Sequence, residues 1–298
     1  MKEPKTIDVL LLILLGAIWG SAFFNIKIAT YTYDPVTLVF LRVFFALVAL
    51  GLYCFYKKIK ILAFSNNWKM YAIVGLTNIT IPFLLIAYGT NVVDSYLSAI
   101  LMSTTPLSGT LLAHFFTKNE KLNIFKSIGV LIGFLGIVFL FFDKLVISES
   151  NLFYALVILC GSTFYVVGVI LTLKFLKNEG NENVSTSTIL WSLIFLLPFC
   201  IYQEPWANLK PSIESTIALV YLGIFPTGVA WLLRFHILTK VGMVFQTQVA
   251  YLIPIFGIFF GFFVMDETIT WRVLASLLII ITGIYLVKKN SKIKKNAR

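Results

Sequence analysis

The chain has 298 residues, 59% of them hydrophobic and 12% charged, and a mean hydropathy of +0.92, which excludes a water-soluble domain with a polar surface. Its net charge of +11 would suit an acidic partner only if the cations shared one water-facing surface. They sit at the ends of apolar runs instead, and nucleic acid is excluded as a partner.

The first run, 7–28, follows Lys2 and Lys5 and continues through Trp19 and Phe24 with no small-residue cleavage site, so it reads as a membrane span and not a signal peptide. Further runs at 35–56, 69–89, 95–116, 124–142, 152–173, 187–203, 216–238, 244–265 and 271–288 bring the spans to ten. Each is expected to be a helix, because lipid offers no partner to an unpaired backbone group, and the alternating pattern of a membrane barrel is missing. The fold class is an all-α integral membrane protein. Cys54, Cys160 and Cys200 show no metal-ligand spacing and read as small packing residues, so no metal or cofactor is expected.

Lys and Arg set the orientation. One set of connections holds Lys2, Lys5, Lys57, Lys58, Lys60, Lys118, Lys121, Lys126, Lys174, Lys177, Lys240 and the tail from Lys288 to Arg298; the other holds little beyond Lys144, Lys210 and Arg272. Both termini are expected in the cytoplasm, in a cell inner membrane. Asn183-Val-Ser185 fits a glycosylation pattern but falls on the cytoplasmic side and carries no meaning there.

The chain repeats itself. At an offset of 148 residues Gly75 matches Gly223, Pro106 matches Pro254 and Gly109 matches Gly257; one residue less aligns Glu120 with Glu267 and Gly136 with Gly283. The repeats are placed at 7–142 and 152–288, with a basic tail at 289–298. Five spans per half means that the halves enter the membrane from opposite sides, as in secondary transporters with inverted repeats.

Trp19-Gly20-Ser21, Lys27, Pro35, Arg42 and the pairs Pro106 with Glu120 and Pro254 with Glu267 resemble the EamA-like branch of the drug/metabolite transporter superfamily over almost the whole chain. The resemblance implies a ten-helix bundle with a central cavity between the halves, and export of amino acids, related metabolites or toxic compounds. Small multidrug exporters, distant relatives, carry an intramembrane Glu in the first span. Here Trp19, Ser21 and Asn25 stand there instead, which disfavours carboxylate-based proton/cation exchange.

Pro106 and Pro254, at equivalent positions in the two halves, are read as helix breaks marking the substrate site. A central layer of Trp19, Asn78, Thr105, Tyr165, Thr227, Trp231, Gln248 and Tyr251 is the candidate cavity, and as a layer without a full charge it suits a neutral or zwitterionic cargo. Packing of helices is the competing reading for each of these residues. Arg42, ~10 Å inside the outer edge of its span, is either a snorkelling anchor or, with Lys27, an outer-vestibule site for a carboxylate, or a partner for Asp94. His114, Arg234 and His236 read as interfacial anchors, and Glu120 and Glu267 as caps on the next helix.

The expected function is a secondary transporter, an exporter of a small metabolite by alternating access. No phosphate loop is present, so an ion gradient or substrate exchange drives it; the coupling ion, a proton or another, is open. The alternatives are a membrane-embedded enzyme for lipid-linked substrates, which two histidines and no acidic cluster disfavour, or a channel or scaffold. Partners are the substrate and the bilayer, with a monomer or weak homodimer expected.

Overall fold

The computed structural model describes residues 5–116, 122–141, 149–202, 210–241 and 243–296. Within them the chain forms ten helical spans: α1 (Thr6–Ala29), α2 (Pro35–Tyr56), α3 (Trp68–Val92), α4 (Ser95–Ser103 and Thr105–Phe116), α5 (Ile124–Phe141), α6 (Glu149–Phe175), α7 (Asn181–Tyr202), α8 (Ile213–Leu222, Gly223–Val229 and Ala230–Lys240), α9 (Met243–Gln246 and Val249–Met265) and α10 (Trp271–Asn296). No strand occurs among the described residues. Stretches in α1, α2, α3, α6, α7 and α8 are long and apolar enough to cross a membrane, and α5, α9 and α10 carry shorter apolar stretches. Large apolar side chains such as Leu52, Phe134, Leu197 and Phe263 stand exposed on the outside of the bundle, where lipid and not water is the solvent.

α7 begins earlier than its polar sequence suggests. Asn183, Ser185, Thr186, Ser187 and Thr188 are all buried. The hydroxyls of Ser185, Thr186 and Thr188 donate to the carbonyls of Asn181, Glu182 and Val184, each at 2.8 Å, so a run that reads as loop continues the helix by satisfying its own polar groups. The Asn183 amide accepts from the Leu62 N–H (2.7 Å) and donates to the Tyr71 hydroxyl (3.0 Å), tying the α2–α3 connection to α7. Trp191 adds to that tie, donating to the Ala63 carbonyl and stacking on Trp68.

The two halves interlock. α1 packs against α8 and α9, while α6 packs against α3 and α4; α2 meets α7, α4 meets α9 and α5 meets α10. The last pair touches backbone to backbone: a Cβ built on Gly283 would lie 2.6 Å from the Gly129 carbonyl and 2.5 Å from the Gly133 nitrogen. Only glycine permits that approach. α3 and α8, third in each repeat, carry π turns at corresponding places, Leu76–Thr80 and Gly223–Val229.

α4 is broken at Thr104. Its first half lies on α9, Ala99 against Gly257 and Tyr96 against Gly261, whereas its second half turns to α6, α5 and α10. The bundle is thereby joined on the side away from the termini. There Glu267, between α9 and α10, accepts from Ser95 N (2.6 Å), Ser95 Oγ (2.9 Å) and Tyr96 N (3.2 Å). Glu267 caps α4 of the other repeat and not the next helix, because the first N–H groups of α4 point at it across the bundle. Its repeat mate Glu120 lies outside the described residues. On the terminal side, Asp8 of α1 pairs with Lys240 of α8 at 3.1 Å.

Candidate functional site

Proline creates the site. Pro226 has no N–H to offer the carbonyl of Leu222, and the Thr227 hydroxyl donates to that carbonyl instead at 2.9 Å. Thr227 thus has lone pairs left toward α2, where Arg42 Nε donates to it at 2.9 Å. The guanidinium carbon lies 3.9 Å from the centre of the Phe83 ring of α3, and Tyr165 of α6 packs on Phe83 at 6.1 Å. The Pro226 carbonyl accepts from the Trp19 indole at 3.1 Å. One proline therefore draws together α1, α2 and α8, with α3 and α6 closing over the arginine.

Arg42 is only 7% exposed. It does not snorkel and does not pair with Asp94; bonded to Thr227 it brings a full positive charge into the layer that the sequence reads as uncharged. Taking a cation out of water costs several kcal/mol. One neutral hydrogen bond returns ~1 kcal/mol and a desolvated cation–π contact ~2 kcal/mol, so the protein alone does not offset burial of the charge. An anion would.

Three further groups face the same centre. Arg234, seven residues beyond Thr227 on α8, is partly buried with its guanidinium 5.1 Å from the Trp231 ring, and it is not an interfacial anchor. Its Nε is sealed from solvent without a hydrogen-bond partner. The Tyr165 ring packs on Phe83, whose face the Arg42 guanidinium covers. Asn78, 6% exposed in the π turn of α3, lies against Gly168, one turn from Tyr165 on α6, with its Oδ1 buried and unpartnered.

The remaining expected residues are placed elsewhere. The Thr105 hydroxyl donates to the Met102 carbonyl (2.5 Å), the group that Pro106 leaves without a donor, beside the break in α4. Pro254 lies inside the continuous helix Val249–Met265; the interruption of α9 falls before it, at Thr247 and Gln248. Gln248 is exposed, and Tyr251 packs with the cluster around α4 and α10. Lys27 donates to the carbonyls of Asn91 (2.9 Å), Val92 (3.4 Å) and Val93 (3.0 Å), capping α3. It faces a helix end and not Arg42. His114 accepts from Leu122 N at 3.0 Å, and His236 is exposed.

Phe83 and Arg234 escape a reading by depth alone. The signal for Arg234 is its spacing: Thr227, Trp231 and Arg234 stand at i, i+4 and i+7 on one helical face. Two surface grooves, one of about 330 Å³ along α8 at Ile217 and Phe225 and one of about 250 Å³ between α4, α5 and α6 at Ser108 and Cys160, do not include Arg42. Both are walled mainly by apolar side chains and belong to the lipid side.

A ten-helix membrane bundle of two inverted halves, with a polar centre sealed between them, is the build of a membrane transporter. The EamA-like transporter family matches residues 6–142 and 152–288, and the chain belongs to that family. It is 24% identical over 270 residues to the uncharacterized transporter YoaV of Bacillus subtilis, covering 90% of this chain and 92% of that one. It is 28% identical to an uncharacterized transporter in the trpA 3' region of Buchnera aphidicola (89% and 87% covered) and 25% identical to an uncharacterized transporter of Archaeoglobus fulgidus (93% and 96% covered). A chain of known crystal structure, 15% identical, superposes with a TM-score of 0.69 over 95% of this chain and 98% of its own length, a likeness of fold.

Proposed function

We propose that this transporter is a secondary carrier that exports a small zwitterionic metabolite, an amino acid or a related compound, across the cell inner membrane by alternating access, with both termini in the cytoplasm. The observation that carries the reading is Arg42: a buried guanidinium at the contact between α2 and α8 with one neutral hydrogen bond and no ion pair among the described residues. A cargo carboxylate supplies the missing charge through two parallel N–H···O bonds, and Trp19, Phe83 and Tyr165 supply apolar walls. A purely neutral cargo leaves the guanidinium uncompensated and is set aside.

The junction of α4 with α9 on one side of the bundle, and the divergence of the second half of α4, support alternating access. Breaking the Tyr96–Gly261 and Ala99–Gly257 contacts would open the side away from the termini. Counterflow of radiolabelled amino acids in proteoliposomes tests the reading, run beside the matching amines that lack a carboxylate. Saturable exchange of the amino acids alone is expected; equal exchange of the amines would overturn it.

A further inference from the structure

α8 aims more than one cation at the centre. From Thr227 to Arg234 the helix rises ~10 Å, and each Cβ leans toward the amino end of the helix, so the Arg234 side chain points up the bundle toward the Arg42 level. Its guanidinium rests on Trp231, one turn closer to Thr227. Tyr165 packs on Phe83, the ring that carries the Arg42 guanidinium. The buried atoms left without partners in this region are Arg234 Nε and Asn78 Oδ1.

Four acids of the bundle are committed elsewhere. Asp8 holds Lys240, Asp34 caps α2 through Val36 and Thr37, Glu179 holds Asn67, and Glu267 caps α4. Among the described residues no ion pair reaches Arg42 or Arg234. A zwitterion brings one negative charge and one positive charge, so it leaves the net charge of the two-arginine centre where it was. A molecule with two anionic groups neutralises both.

We infer that Arg42 and Arg234 form a two-point anion site, and that the preferred cargo carries two anionic groups on one small molecule, as in a dicarboxylate or a phosphate monoester. This rests on the carrier reading above and keeps its cargo carboxylate on Arg42, but replaces a simple zwitterion by a molecule with a second anionic group. Arg42 takes the group bound deepest between the halves, and Arg234 takes the group nearer the terminal side. Asn78 Oδ1 accepts from a hydroxyl or ammonium between them, which admits acidic amino acids as well.

The experiment uses the full chain in nanodiscs of phosphatidylethanolamine and phosphatidylglycerol, with binding of butyrate, alanine, succinate, aspartate and glycerol 3-phosphate measured by calorimetry. Wild type is expected to bind at least one dianionic probe roughly tenfold or more tighter than butyrate, the worth of one charge-assisted contact. Succinate against glycerol 3-phosphate shows whether the second group is a carboxylate or a phosphate. Arg234→Gln should bring that ratio close to one, and Arg234→Lys should keep most of it, in samples of unchanged elution volume and unfolding temperature. Wild type that binds butyrate or alanine as tightly as every dianion, or binds none of the probes, overturns the inference, and so does a ratio that survives Arg234→Gln. Failure of the carrier reading looks different: Arg42→Gln would then leave all probes bound.

Discussion

In α3 the π turn Leu76–Thr80 stands against α7, and Thr80 both reaches back to the Gly75 carbonyl (3.3 Å) and pairs with the Ser192 hydroxyl (2.8 Å). In α8 the π turn Gly223–Val229 stands against α2, and Thr227 reaches back to the Leu222 carbonyl (2.9 Å) while accepting from Arg42 (2.9 Å). Both turns close a wider loop of backbone with a threonine and hand its free lone pair to the second helix of the opposite repeat. Only the partner differs, a serine on one side and an arginine on the other. Duplication thus supplies the geometry twice, and one side chain turns one copy into a charged centre while the other stays a neutral clasp.

The sharpest way to break this comparison is to remove the side chain that distinguishes the halves. Arg42→Gln is expected to lower transport of a carboxylate-bearing cargo by about 100-fold, the scale of a lost charge-assisted pair in a buried site. Its counterpart Ser192→Ala should leave transport within about twofold and lower stability by ~1 kcal/mol. Initial rates in proteoliposomes, normalised to reconstituted protein, decide it; equal losses in the two variants would show that the halves share the cargo evenly.

The glycines that open both turns come next. A Cβ on Gly75 would meet the Thr188 carbonyl at 2.6 Å, and one on Gly223 would meet Phe45 Cβ at 2.5 Å and the Arg42 carbonyl at 2.8 Å. Gly75→Ala and Gly223→Ala should each destabilise by ~1–3 kcal/mol, as overpacking does, read as a fall in unfolding temperature in detergent. Only Gly223→Ala, by pushing α2 away, should also weaken cargo binding. Thr80→Val and Thr227→Val are milder tests of the same pair, each costing ~1 kcal/mol of stability, with a severalfold loss of affinity expected for Thr227→Val alone.

Much of this frame is legible in the sequence because lipid enforces it: apolar runs must be helices, and the 148-residue offset aligns Gly75 with Gly223. What depth along a span does not reveal is direction around it. Arg42 and Arg234 both look like headgroup anchors when only their distance from a span end is known; Arg42 turns inward to the Thr227 that α8 presents to α2, and Arg234 lies on the same face of α8 as Thr227 and Trp231. Pro254 looks like the mate of Pro106, yet Val249–Met265 continues through it. A membrane helix tolerates a proline where its neighbours resupply the contacts. The early start of α7 was hidden for the converse reason, since hydroxyls that spend their donors on their own helix make a polar sequence behave as an apolar one.

The smallest expected effect concerns the helix ends on the far side from the termini, where two charges cap helices of the first half, one sent from the second half and one from the first itself. The amino end of α4 is capped by Glu267 from the second half, and the carboxyl end of α3 is capped by Lys27 from the first. Each charge complements the helix dipole it meets. Lys27 is only partly buried, so screening by salt trims its worth to ~0.3–1 kcal/mol. Lys27→Met should therefore lower stability by that amount, less so in high salt, and leave the affinity for a carboxylate-bearing cargo unchanged, because the ammonium faces three carbonyls and not the Arg42 centre. Affinity measured for Lys27→Met beside Arg42→Gln separates this cap from an outer-vestibule site: a tenfold loss in the Lys27 variant would make Lys27 part of the cargo's path and extend the charged centre from one half toward the mouth of the bundle.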